Sequence, residues 1–67
     1  MLLITAIRKE RSLTMSALAR LAGMHVSSIS QIERGYLKPY PGQVTKIAEA
    51  LNWKEKPVEL FKEVNIS

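Results

Sequence analysis

Residues 17–35 read ALARLAGMHVSSISQIERG, and this stretch decides the fold. It contains two short helical patterns separated by Gly23. Leu18, Leu21 and Ala22 are available to a core from the first pattern, and Ile29 and Ile32 from the second. Small polar residues fill the positions that the second pattern leaves for solvent. Gly23 suits the left-handed residue that ends a helix, and Gly35 ends the second pattern. Ala19 is small where a large residue would also have fitted.

Working outward, Thr14 reads as the N-cap of a helix over 15–22, its hydroxyl available to an orphan N–H. Leu13, just before it, holds the position of a hydrophobic staple. Upstream, Leu3, Ile4 and Ile7 recur at helical spacing, so 2–11 is a first helix with Arg8, Lys9 and Arg11 partly on its wet side; Ser12-Leu13 breaks it. Downstream, the third helix covers 26–34 and Met24 is buried in the turn before it. The loop YLKPYPG at 36–42 follows, with Pro41 in the first turn of the next helix. In that fourth helix, 41–51, Val44, Ile47, Ala48 and Leu51 fall at i, i+3, i+4, i+7. Asn52 ends it and Trp53 plugs the core. Pro57 opens a fifth helix over 57–64, and the tail NIS frays. There are no repeats, and no stretch reads as a strand. The expected fold is all-α, a compact five-helix bundle forming one domain over 1–67, with a helix-turn-helix at about 14–35.

Composition narrows the function. A chain of 67 residues buries only about 60% of its unfolded-state surface, which leaves little room for an enclosed active site beside a core. With no cysteine and one histidine, His25, no disulfide, thiolate site or His-rich metal site is expected. The apolar start MLLITAI stops at Arg8 and lacks the preceding charge of a signal peptide. Nothing approaches the roughly 18 apolar residues of a membrane span, so the expected location is cytoplasmic. The formal charge is +4. Residues 1–40 carry six Lys and Arg against two Glu, while 41–67 carry four of each, so the whole excess lies on the half holding the opening stretch. A basic half attracts polyanions through its field and through counterion release; a merely solvated basic face explains the charge alone equally well.

A helix-turn-helix needs a small residue at the helix approach, a glycine at the turn and a few inward apolar residues. Ala19, Gly23 and the set Leu18, Ala22, Met24, Ile29 and Ile32 supply all three. On LARLAGMHVSSISQIERG, then Pro39, then KIAEAL, the chain resembles the Cro/phage-repressor-type helix-turn-helix domains of the XRE family over about residues 4–53. The resemblance implies a lambda-repressor-like DNA-binding domain of a transcriptional regulator, acting as a homodimer on paired half-sites of double-stranded DNA. Carried over by position, Val26, Ser27, Ser28 and Gln31 would read bases, with Ser28 and Ser30 near the groove or the backbone. Gln31 suits bidentate pairing to adenine. Val26 would meet a thymine methyl or pack in the turn, and Ser30 would approach DNA or simply face solvent. The resemblance also pairs Arg8 with Glu33, a structural pair fixing the third helix against the first. Two positions depart from the family pattern: Met15, where a glutamine often grips a phosphate, and His25, where a serine or threonine commonly caps the recognition helix.

Phosphate contacts position a protein without reading sequence. Arg34, Lys38 and the N–H groups around Gly35 suit that role, as do Thr14 and the first N–H groups of its helix. His25 could donate to a phosphate or stand as an exposed, poorly capped histidine. Tyr36 and Tyr40 would reach the sugar-phosphate backbone or cover the apolar side of their loop. Val58, Leu60, Phe61 and Val64 exceed what one small bundle covers and are dimer candidates; the same face would also serve an adaptor or antitoxin-like component that binds another protein. No catalytic constellation, metal site, cofactor or small-molecule ligand is expected: His25-Val26-Ser27-Ser28 has no carboxylate to orient the histidine.

Overall fold

The computed structural model describes residues 1–65. Of the tail read as frayed, Ile66 and Ser67 lie outside the described residues. Four α-helices and a 3-10 helix follow in order: α1 Leu3–Glu10, α2 Met15–Ala22, α3 Val26–Glu33, α4 Pro41–Ala50, and the 3-10 helix Pro57–Phe61. The class is all-α, as the periodicity predicts.

All four α-helices stop by one device. A residue at positive φ follows each helix end, directly at Gly23 (67°) and one residue further on at Ser12 (57°), Gly35 (80°) and Asn52 (52°). Each time, that residue and the next donate N–H bonds back into the last turn. At α2 these run from Gly23 to the Arg20 carbonyl (3.2 Å) and from Met24 to the Ala19 carbonyl (2.9 Å), the paired bonds of a Schellman motif. Only Gly23 and Gly35 meet the left-handed geometry without a Cβ penalty. Ser12 and Asn52 carry it.

α2 is the central element, packing on α3 and on α4, while the 3-10 helix closes the space between α1 and α4. Ile4, Leu18, Ile29, Ile32, Ile47, Leu51 and Leu60 are fully buried, and Ala19, Ala22 and Ala48 let the helices approach. Leu13, Met24, Leu37, Trp53 and Phe61 pack against this cluster from its margin. The Trp53 indole N–H donates to the Lys56 carbonyl (3.1 Å) and so shapes the approach to the 3-10 helix. Thr5 Oγ1 is buried with no partner, which costs about 1–3 kcal/mol for such a group.

Two expectations fail. The fifth α-helix over 57–64 is a 3-10 helix ending at Phe61, with Lys62 already extended. The backbone beyond it pairs with the start of the chain instead: Leu3 N–H donates to the Lys62 carbonyl (2.9 Å) and Val64 N–H to the Met1 carbonyl (2.8 Å), giving an isolated antiparallel bridge between Leu2 and Glu63. The second bond satisfies the Val64 N–H that a further helical turn would have satisfied, and the first gives the Lys62 carbonyl a partner that such a turn would have left it without. Leu21, placed in the core by α2 periodicity, is 60% exposed, because the inward arc of α2 is filled by Leu18, Ala19 and Ala22.

Candidate nucleic-acid interface

The two helices of the motif meet at residues 23–25. His25 is the N-cap of α3 in extended conformation, and its side chain makes no capping bond. By contrast, Thr14 Oγ1 accepts from the Ala17 N–H (3.0 Å) at the start of α2. Its hydroxyl proton remains free to donate outward.

α3 has two distinct faces. Ile29 and Ile32 are buried. Ser27, Gln31 and Arg34 are exposed, and their i, i+4, i+7 spacing sets them in one line along the solvent side. Val26 is 45% exposed, so it lies at the surface and does not plug the turn. Ser28 and Ser30 are half-buried beside that line.

After α3 the chain folds back on its own last turn. The N–H groups of Tyr36 and Leu37 both donate to the Gln31 carbonyl, at 2.8 and 3.2 Å, and that of Gly35 to the Ile32 carbonyl at 3.0 Å. These N–H groups are therefore spent internally, which overturns their assignment to phosphates; the side chains of Arg34 and Lys38, both exposed, are what the segment offers. Leu37 turns inward against the core, which leaves Tyr36 and Lys38 pointing outward. Tyr36 is 78% and Tyr40 69% exposed, so neither covers the apolar side of the loop. At Tyr40 the chain enters α4, with the Tyr40 N–H donating to Gln43 Oε1 (3.0 Å).

Arg8 and Glu33 meet as a buried pair. Arg8 Nε and one terminal nitrogen donate to the two Glu33 carboxylate oxygens at 2.7 and 3.0 Å, and the other terminal nitrogen donates to the Leu13 carbonyl at 2.7 Å. Their side chains are only 8% and 4% exposed. Arg8 is thus withdrawn from any ligand surface, and the partly wet position read for it in α1 is replaced by burial.

The C-terminal apolar residues divide. Leu60 is fully buried in the core, so it is not a dimer contact. Phe61 and Val64 are half-buried and Val58 is exposed. Val58 and Phe61, with Pro57, line one side of an open groove of about 620 Å³; Pro39, Pro41 and Val44 line it too, beside Lys38 and Thr45. Sequence reasoning missed this groove because three separate segments make it. Among the described residues no group of three His, Cys, Asp or Glu side chains could hold a metal ion, and no helix is long and apolar enough to cross a membrane.

A short capped helix, a tight glycine turn and a second helix with one buried and one polar line define a helix-turn-helix domain. The helix-turn-helix family matches residues 4–55, and the chain belongs to that family, in its Cro/phage-repressor (XRE) type. Over 49 residues it is 43% identical to the HTH-type transcriptional repressor RghR of Bacillus subtilis (strain 168), a match covering 72% of this chain and 36% of the relative. The chain therefore spans about a third of the length of that curated relative. No solved structure matches.

Proposed function

We propose that this domain binds double-stranded DNA sequence-specifically as a transcriptional regulator, with α3 in the major groove. The observation that carries the reading is the exposed line Ser27, Gln31 and Arg34 on a helix whose opposite face is buried through Ile29 and Ile32. Gln31 pairs with adenine, Ser27 donates to a neighbouring base edge and Val26 meets a thymine methyl; half-buried Ser28 supports them from the groove wall. Arg34, Lys38, Tyr36, Thr14, His25 and Ser30 hold the backbone and set register. The kinship with a named transcriptional repressor supports the same reading. The domain acts by binding, without a catalytic step or a small-molecule ligand, and works in the cytoplasm. Selection of bound sequences from a random duplex pool tests this: a short palindromic consensus is expected, and equal binding to all sequences overturns it.

The groove between the loop at 38–41 and the 3-10 helix supports a homodimer, which places two α3 helices on the half-sites of a palindrome. Light scattering of the protein and of Val58→Asp and Phe61→Asp checks it, with a dimer expected to become a monomer. A parent that is already monomeric favours the second reading, an adaptor or antitoxin-like component whose groove takes another protein.

A further inference from the structure

We propose that Arg11 is a further phosphate ligand of the DNA interface, supplying the charge on the flank where Thr14 stands. The proposal rests on the reading of the domain as a duplex binder with α3 in the major groove. Residues 1–40 carry six Lys and Arg against two Glu, and Arg8 and Glu33 neutralise each other in their buried pair. Lys9, Arg11, Arg20, Arg34 and Lys38 remain, all exposed, against exposed Glu10. Among the described residues none of these five cations forms an ion pair; the pairs present are Arg8–Glu33 and Met1–Glu63. Arg34 and Lys38 hold the backbone after α3. Three cations are left without a role.

Position separates them. Ile4, Arg8 and Arg11 fall at i, i+4, i+7 and so share one line along α1. Ile4 and Arg8 are buried, and Arg8 reaches the Leu13 carbonyl (2.7 Å). Arg11 stands further along the same line, just past the helix end at Glu10, where burial stops. Its backbone is held in place. The Arg11 N–H donates to the Ile7 carbonyl (3.1 Å), and those of Ser12 and Leu13 donate to the Lys9 and Arg8 carbonyls (both 3.0 Å). Thr14 follows three residues on, its Cα within about 11 Å by chain length alone, and its hydroxyl proton is free for a phosphate. Lys9 lies about 100° round the helix from Arg8, off that line. Arg20 sits near the other end of α2, beside Leu21, Lys46 and Glu49. Thr14 is neutral and displaces no counterion, whereas Arg11 adds a charge that does, on a planar fork that matches a phosphate bidentately. The alternative is that Arg11 only complements the negative end of α1, a role that acts on stability and not on DNA.

Arg11→Gln tests the contact, with Arg20→Gln as the control cation. Affinities are measured for the selected duplex and for a scrambled duplex across a salt series, on protein shown to be folded by circular dichroism. In Arg11→Gln the salt slope is expected to fall by about one on both duplexes. Affinity at low salt drops severalfold on each alike, and the discrimination ratio holds. Arg20→Gln keeps the parental slope. Replacing single phosphates of the selected duplex by neutral methylphosphonates then locates the contact: one replacement that weakens the parent is expected to leave Arg11→Gln unaffected. A parental slope in Arg11→Gln, or a fall of equal size in Arg20→Gln, overturns the contact while leaving the DNA reading intact. A loss confined to the selected duplex makes Arg11 a base reader and overturns it as well. A parent that binds neither duplex sinks the DNA reading, and this role with it.

Discussion

α2 and α3 are each eight residues long and share one turn, yet they are held in different ways. α2 carries its own instructions: a threonine cap at the front, a glycine stop behind, and three buried residues in two turns. α3 has no side-chain cap at its front and buries only Ile29 and Ile32. Serine is a mediocre helix former, and α3 has three. What holds α3 lies outside it, in the pocket formed with α2 and in the Arg8–Glu33 fork. An element whose order is imposed from behind can devote its outward residues to a ligand. α2 stabilises; α3 displays.

That division is most exposed at Glu33. Glu33→Ala leaves the buried Arg8 charge unpaired and is expected to destabilise the domain by about 3–5 kcal/mol, a large share of the total for a chain this short. Urea unfolding checks it, and a loss below about 1 kcal/mol would mean that α3 is held by its own packing alone. At the display face the expectation reverses. Gln31→Ala should change stability by less than about 0.5 kcal/mol while removing about 1–3 kcal/mol of discrimination at one base pair. Binding isotherms on duplexes altered at single positions resolve this, and a uniform loss over all sequences would move Gln31 to the phosphates.

The same contrast explains what was legible in the sequence. Thr14, Gly23, Gly35 and Asn52 act on backbone within a few residues, so local spacing revealed the limits of every α-helix to within a residue or two. Residues 57–64 have helical spacing but lose their last turn to pairing with residues 1–3, some sixty positions away, and no local pattern records that partner. Leu21 misled because α2 periodicity allows a wider apolar arc than α3 and α4 cover. The Glu33 partner of Arg8 came through family resemblance. Its third bond goes to the Leu13 carbonyl, and a main-chain acceptor leaves no trace in residue type. For the interface, exposure of Val26, Tyr36 and Tyr40 closed alternatives that residue chemistry left open.

The caps separate the helices on a smaller scale. Thr14→Ala removes the bond to Ala17 and is expected to cost about 1 kcal/mol, read as a lower urea midpoint at constant m-value. Adding a cap to α3 is the converse. His25→Ser gives the extended N-cap residue a short hydroxyl that can accept from a first-turn N–H, and should raise stability by about 0.5–1 kcal/mol. For a domain of this size that is a rise of about 2–8 °C in melting temperature. If His25 donates to a phosphate, the same substitution weakens DNA binding severalfold at low salt while the protein becomes more stable. Stability and affinity then move in opposite directions, the pattern expected where an uncapped helix end is kept for its ligand. A calorimetric scan showing no gain would mean that the first turn of α3 is already satisfied, and that its dependence on outside support begins only at Glu33.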